Sequence, residues 1–517
     1  MSVETFVSKS FSALTLFDNS MTGKYILNHY YLLRHDEKRS FIMSRGDGFN
    51  QKPIPVNTGW VSKVHPAYAM MLSFFSEPIS LSEASANIAT FFKLPKEKIM
   101  SFILSLLSAK EPTYTTLDGS NSGFPINLII EADKEFTPRN KYSPEEFKFK
   151  ELDFKTTRMI LAPTSIVFMP NNNCITDCVY CYADTKTKTQ QMKFDQIEAF
   201  VKEANKLRVR DIMITGGDFF MYKHWEDLLK LLVREGYTPD LISTKVPISK
   251  DLINRFQPFK IRLQISVDSL SSEITQKVLN VNSQYAQNMR QALININKSS
   301  IRFQIATVLT SVNDSIENLE EIAEFIKDLD RLERWEIRVA FSSLYSRTNF
   351  QSIKSNKVQI SNIEDWIKVK QGVFHTKILW SPDDDVKYKK SSGGSANFEG
   401  PICSANMSNI VILPNGEVTI CEQLYWNKNF LIGNVCESSI KEIWNSAKAI
   451  GLWKREQTSI NPHSPCRNCS DFSACFQASN RCYANIMKAY GITNFDYPDP
   501  RCIQAPNFTY SITHEDE

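Results

Sequence analysis

The cysteines constrain this chain more than any other residue type. None of the eleven precedes Cys174. Three then fall within eight residues, Cys174, Cys178 and Cys181, in the spacing C-x3-C-x2-C. The other eight, Cys403, Cys421, Cys436, Cys466, Cys469, Cys475, Cys482 and Cys502, close the sequence. Disulfide frameworks belong to small secreted domains, whereas clustered cysteines in a large chain favour metal ligation. At 517 residues there is chain for about three domains. The opening MSVETFVSKSFSALTLFDNS lacks the charged, apolar and cleavage regions of a signal peptide. No apolar run approaches the ~18 residues of a membrane helix, so a cytoplasmic protein without a membrane partner is expected. A net charge of +3 gives no electrostatic case for nucleic acid.

From 163 to 345 strand-like runs alternate with amphipathic helical ones. The strands are SIVFM (165–169), DIMIT (211–215), LIST (241–244), IRLQISV (261–267), RFQIATVL (302–309) and WEIRVAF (335–341). Six β-then-α units predict a parallel sheet covered by helices, a complete or partial barrel with its chemistry at the strand C-termini. Before it, residues 21–135 read as a module of strands, three short helices and a β-wing. KYILNHYYLLRHDEKRSFIMSR predicts a hairpin about its charged centre. Pro66 and Pro95 open two helices, Ser80 or Ser82 caps a third, and Asp118-Gly119 turns a second hairpin that FPINLII completes. This order resembles a winged-helix module. Residues 136–162 read as a charged linker and 346–400 as a polar bridging or mobile insertion that includes SSGGS. In 401–510 the cysteine-rich segment has few periodic stretches and needs metal to hold its core.

NNNCITDCVYCYAD runs directly off the first predicted strand. Three thiolates from one loop can ligate three irons of a [4Fe–4S] cluster and leave the fourth open to a small molecule. Zinc is the competing reading, but a structural zinc takes four closed ligands. Here the sequence resembles the radical S-adenosylmethionine (SAM) superfamily, with Tyr180 in the usual aromatic place. Gly216-Gly217-Asp218 is similar to the family's GGE segment, with Asp for Glu. Its glycines fit a close approach to the methionine end of SAM. The resemblance implies further SAM contacts from Ser243, Ser266 and Asp268 at later strand ends. Where many relatives carry an Arg for the SAM carboxylate, this chain has Leu279, leaving Lys277 or another cation to serve. The fold implied is α/β, a partial (β/α)6 radical SAM barrel with an N-terminal winged-helix-like domain and a C-terminal cysteine-rich domain. The activity implied is reductive cleavage of SAM to a 5′-deoxyadenosyl radical that abstracts a substrate hydrogen.

The second cysteine group resembles the SPASM domain of peptide-modifying radical SAM enzymes. Its pattern C-x12-G-x4-C, then CRNC-x5-C, departs only in the six residues between Cys475 and Cys482. The resemblance implies two auxiliary clusters, three [4Fe–4S] clusters in all. Cys466, Cys469, Cys475 and Cys502 would hold one; Cys403, Cys421 and Cys482 would hold the other, its fourth ligand open. Cys436 reads as a buried free thiol rather than a ligand. Glu422, directly after Cys421, lies where sulfatase-maturing relatives place a proton acceptor, and an ordinary surface carboxylate is the competing reading. The N-terminal module resembles recognition elements that bind a leader peptide as an added strand.

A peptide maturase that binds a precursor's leader and installs a cross-link is therefore expected, with a flavodoxin- or ferredoxin-type electron donor. The alternatives are a formylglycine-forming sulfatase maturase and a non-catalytic, metal-stabilised peptide adaptor.

Overall fold

The computed structural model describes residues 23–45, 55–132, 140–346, 348–382, 402–477 and 481–514. They fall into two compact units, one of residues up to 164 with 204–211, the other of 165–203 with 212 onward. The sequence start read for targeting and the SSGGS segment lie outside the described residues.

In the first unit β1 (Lys24–Leu27), β2 (Tyr31–His35), β3 (Ser40–Ser44) and β4 (Val61–Val64) precede α1 (Pro66–Ser73) and β5 (Ile79–Ser80). Then come α2 (Leu81–Phe92), α3 (Lys96–Leu107), β6 (Thr113–Leu117), β7 (Ser120–Phe124) and β8 (Ile129–Glu131). The expected first hairpin is β2 against β3, continued antiparallel by β4. Asp118 and Gly119 turn β6 into β7 with φ of 48° and 71°, the left-handed pair that a two-residue hairpin requires. FPINLII does not complete that hairpin: its strand β8 pairs with β1, which pairs on its other edge with β5. Ser80, not Ser82, caps α2 by accepting the Glu83 N–H. Tyr68, Phe102 and Phe124 pack edge and face within 5.2–5.6 Å at the centre of the core.

The expected linker is no free tether. Residues 140–164 belong to the first unit, and the charged tip of the β2–β3 hairpin turns inward to hold them. Buried Asp36 accepts N–H bonds from Ile160 (2.9 Å) and Leu161 (2.8 Å). Arg34 donates to the Pro163 carbonyl at 2.7 Å and Arg39 to that of Arg158 at 2.6 Å. Buried charges demand such partners, so the HDEKR run is an anchor as well as a turn.

From residue 165, β9 (Ser165–Phe168), α4 (Phe194–Lys206), β10 (Asp211–Ile214), α5 (Trp225–Arg234), β11 (Leu241–Thr244) and α6 (Lys250–Phe256) alternate. They are followed by β12 (Arg262–Ser266), α7 (Ser272–Leu279), α8 (Tyr285–Asn297), β13 (Phe303–Leu309), α9 (Ile316–Ile326) and β14 (Leu332–Val339). The six strands share no single hydrogen-bonded sheet. β11, β12, β13 and β14 run parallel in sequence order, whereas β10 and β9 belong to a second sheet.

Both sheets gain strands from the C-terminal side. Half of the expected insertion is regular: α10 (Lys357–Gln371) buries Ile360, Ile363 and Ile367, and β15 (Lys377–Ser381) adds a fifth parallel strand to β14. The cysteine-rich segment supplies β16 (Asn409–Ile412), β17 (Glu417–Thr419) and β18 (Leu431–Asn434). β16 lies parallel to β9 with Ile166 opposite Ile410, and the second sheet runs β10-β9-β16-β17-β18. Then α11 (Ile440–Trp444), α12 (Ala447–Trp453), α13 (Phe472–Gln477) and α14 (Tyr483–Tyr490) carry the remaining chain. Among the described residues no helix is long and apolar enough to cross a membrane.

Candidate active site

The loop from β9 is organised by its own asparagines before any cysteine is placed. The Asn171 side chain accepts the Asn173 N–H at 2.7 Å, and Asn172 donates to the Thr187 carbonyl at 2.7 Å. Further along, the N–H groups of Asp177 and Val179 donate to the carbonyls of Leu279 and Val278, both at 2.9 Å. Cys174, Cys178 and Cys181 are thus carried half-buried and free on one tied loop. Leu279, at the place expected of a cation, packs its side chain away and contributes backbone.

Gly216 and Gly217 follow β10, and their lack of Cβ is needed by the cysteine loop. A Cβ on Gly217 would stand 2.1 Å from the Asn173 carbonyl oxygen; one on Gly216, where φ is +114°, would stand 2.5 Å from that of Asn171. That contact lets Gly217 and Asp218 donate N–H bonds to those same carbonyls at 2.9 and 2.8 Å. Asp218 is buried, and its carboxylate accepts from Thr244 Oγ1 and from the N–H groups of Phe220, Lys245 and Val246. Burial pushes its carboxyl up, against the pull of those bonds. Asp in place of Glu therefore staples the ends of β10 and β11 together.

A cavity of about 380 Å³ opens where these strand ends meet, within the size range of small-molecule sites. All three thiols line it, with Tyr180, Gly216, Gly217, Asp218, Ser243 and Ser266. Asp268 does not. It is buried, and its carboxylate is occupied by the Tyr180 hydroxyl (2.5 Å), Lys245 Nζ (2.8 Å) and the Val308 N–H (2.9 Å). Asp268, expected as a SAM contact, braces Tyr180 and Lys245 beside the cavity. Lys277 does not line the cavity: it is exposed and paired with Glu273 at 2.7 Å on the surface of α7. The cations at the cavity are Lys245, whose Nζ stands 5.5 Å over the Tyr180 ring, and Arg338 at the end of β14. Burial alone would lower the Lys245 ammonium, but the Asp268 carboxylate carries it up overall. Burial, then the same carboxylate, holds the Tyr180 phenol well above its ordinary range. Lys245, Gln264 and Arg338 escape a motif search, yet each lies on a strand near its C-terminal end or just beyond it, where chemistry was expected.

Glu422 lines the same cavity from the cysteine-rich segment, one residue after Cys421. It has no ion-pair or hydrogen-bond partner among the described residues, and burial pushes its carboxyl up. Behind it, Cys421 is the electrostatic neighbour of both Cys403 and Cys482. Cys466, Cys469, Cys475 and Cys502 line a separate small cavity of about 20 Å³. Asp499 ties the two groups: its carboxylate accepts the Cys482 N–H and its carbonyl the Cys502 N–H, both at 2.8 Å. Cys436 is exposed, not buried as expected, and joins neither group's cavity. All eleven thiols are free. Among the described residues no three His, Cys, Asp or Glu side chains converge as a single-ion site. A donor set made only of thiols fits iron–sulfur ligation, in which each sulfur takes its own iron. The larger cavity, polar at its strand ends and bare of Cβ at its glycines, fits SAM beside the first thiols.

Residues 168–329 match the Radical SAM superfamily and residues 403–470 match SPASM, an iron-sulfur cluster-binding domain. The antilisterial bacteriocin subtilosin biosynthesis protein AlbA of Bacillus subtilis (strain 168) is 21% identical over 316 residues. That alignment covers 58% of this chain and spans 64% of the length of AlbA. The fold is similar to that of Streptococcus suis SuiB bound to precursor peptide SuiA, with a TM-score of 0.61 and 15% identity over 93% of this chain and 100% of that one. SuiB bound to S-adenosylmethionine gives a TM-score of 0.60, at 14% identity over 92% and 100% of the two chains.

Proposed function

Because the chain carries a radical SAM domain joined to an iron-sulfur SPASM domain, we propose that it modifies a ribosomally synthesised precursor peptide by installing an intramolecular cross-link. One observation carries this reading: a single cavity is lined by three loop thiols, the strand-end polar groups and the unpaired Glu422 carboxylate. The names of AlbA and SuiB, a bacteriocin biosynthesis protein and a protein bound to a precursor peptide, support a peptide as substrate.

Cys174, Cys178 and Cys181 would hold the SAM-binding cluster, and the two C-terminal cysteine groups the auxiliary clusters, three in all. When bound, SAM and its cluster supply a 5′-deoxyadenosyl radical that takes one hydrogen atom from the peptide. The chain's own residues do the rest. Gly216 and Gly217 offer backbone to the methionine end of SAM, and Ser243 and Ser266 offer hydroxyls to its polar groups. Asp268 holds Tyr180 and Lys245 still beside them, which is positioning rather than chemistry. Glu422 accepts the proton released as the new bond closes. The balance is a two-electron oxidation. The peptide would lose one hydrogen atom to the radical, one proton to Glu422 and one electron, for which the auxiliary clusters that the C-terminal cysteines would hold are the acceptor. The product bond is a thioether, carbon–carbon or carbon–oxygen link. A flavodoxin- or ferredoxin-type protein would supply the reducing electron, and the first unit would hold the leader as an added strand.

Mass spectrometry of a short peptide encoded beside this gene and co-expressed with the enzyme tests the proposal. The expected product is two hydrogens lighter, with fragment ions missing between the joined residues. Full fragmentation with two hydrogens lost at a serine, or with two hydrogens lost and sulfur replaced by oxygen at a cysteine, points instead to a formylglycine-type oxidation. An unmodified peptide, with no 5′-deoxyadenosine formed under reductant, refutes the enzymatic reading.

A further inference from the structure

A buried arginine beside the four-cysteine cavity has no role in the chemistry above. Arg481 precedes Cys482 and is 8% exposed. One Nη donates to Cys466 Sγ at 3.5 Å, and the guanidinium also bonds Cys475. The other Nη donates to the Tyr497 carbonyl at 2.8 Å, and the plane lies 4.7 Å from the Phe476 ring. Its Nε–H is buried and has no acceptor among the described residues. No carboxylate forms an ion pair with it among the described residues; the nearby carboxylate Asp499 is taken by Arg501 and the Cys482 N–H. Arg481 also lines the cavity that holds Cys403, so it stands between the two cysteine groups.

A cationic side chain buried without a counter-carboxylate is costly unless something anionic completes it. Among the described residues, the anionic candidates left uncommitted beside it are the sulfurs of Cys466 and Cys475. We propose that Arg481 is a positioning residue that raises the reduction potential of the auxiliary cluster held by Cys466, Cys469, Cys475 and Cys502. Hydrogen bonds to cluster sulfurs and a fixed positive charge both favour the reduced, more negative state. The orphan Nε–H would find an acceptor in a sulfur of such a cluster. The inference rests on the reading that this cavity holds an iron–sulfur cluster.

Electron paramagnetic resonance–monitored potentiometric titration, with dithionite as reductant, tests it on the full chain. The background is Cys174→Ala, Cys178→Ala and Cys181→Ala, which leaves the auxiliary signals alone. Arg481→Met is expected to shift one auxiliary midpoint to more negative potential, leave the other in place and keep the iron content. Arg481→Lys, which retains charge without the fork, is expected to shift it less. Unchanged midpoints in an iron-replete Arg481→Met protein overturn the proposal. If Arg481→Met fails to load iron, the Arg481→Lys midpoint decides. Failure of both to load makes the arginine a structural support and also overturns it. Zinc in place of iron in the unsubstituted site is a different failure, of the cluster reading beneath.

Discussion

Gly217→Ala is the sharpest probe of how the first cysteine loop is held. The added methyl would lie 2.1 Å from the Asn173 carbonyl oxygen and 2.7 Å from the Asn172 carbonyl carbon and the Asn173 nitrogen. All three are backbone atoms, so no rotamer change relieves the clash. Reaching ordinary contact means opening the gap by about 1.3 Å. Three hydrogen bonds span that gap: Gly217 N–H to Asn171, Asp218 N–H to Asn173, and Asn171 Nδ2 to the Asp218 carbonyl at 3.1 Å. At about 1 kcal/mol each, their loss destabilises by roughly 3 kcal/mol, and this is the same strain as the overpacking cost rather than an addition to it. Asn173 precedes Cys174, so a shift on the order of 1 Å reaches the first thiol and should cost about a hundredfold in SAM turnover. The assay is a urea midpoint on the metal-free protein, with calorimetric SAM binding and iron content on the loaded one. Gly451→Ala is the control: its methyl enters open space inside α12 and should stabilise by about 0.5–1 kcal/mol. A Gly217→Ala protein with the original midpoint, iron content and SAM affinity would falsify the account of the glycine pair.

Asp268→Asn keeps the shape of the brace but leaves the mostly buried Lys245 ammonium without its carboxylate, at a cost of roughly 3 kcal/mol and with weakened SAM binding. Lys277→Met, altering only a surface pair, should leave calorimetric SAM binding unchanged; the reverse ranking would restore Lys277 as the anchor. His65 is buried, caps α1 by accepting the Ala67 N–H on Nδ1, and has its pKa lowered by burial against the opposing pull of Asp118. Its folded form stays neutral while the unfolded form protonates below about 6.5, so stability is full above that pH and falls on acidification. His65→Asn, which can still cap, should flatten the pH dependence of the urea midpoint; parallel curves would exclude His65. Cys436→Ser should leave iron content and peptide modification intact, because the thiol is exposed and joins neither cysteine group.

The alternation of strand and helix was legible because each of the six barrel strands is a short apolar run between polar helices, whereas their division between two sheets was not. LIST became β11 without adjustment. The grouping of Cys466, Cys469, Cys475 and Cys502 came from a resemblance, not from spacing, and all four line one cavity. What a side chain points at was not legible. Asp268 follows its strand as a ligand contact would, yet three donors from separate elements claim its carboxylate. The buried Arg34, Asp36 and Arg39 read as a solvated turn because their partners lie about 120 residues away. The helix α10 could have been found from Ile360, Ile363 and Ile367, whose spacing marks one face. β15 could not: nothing in its five residues says which sheet receives it.

The parallel pairing of β9 with β16 makes the C-terminal cysteine-rich segment inseparable from the barrel. A designer wishing to graft this segment onto another core would be cutting through a ladder, since Ile166, Val167 and Phe168 lie in register with Ile410, Val411 and Ile412. Excision would bare the apolar edge of the very strand that launches the first thiol, inviting self-association. The strands that lead to Cys174 and to Glu422 therefore share one sheet. Homologues that lose the appendage must rebuild that border, and chimeras should be spliced beyond β18 or not at all.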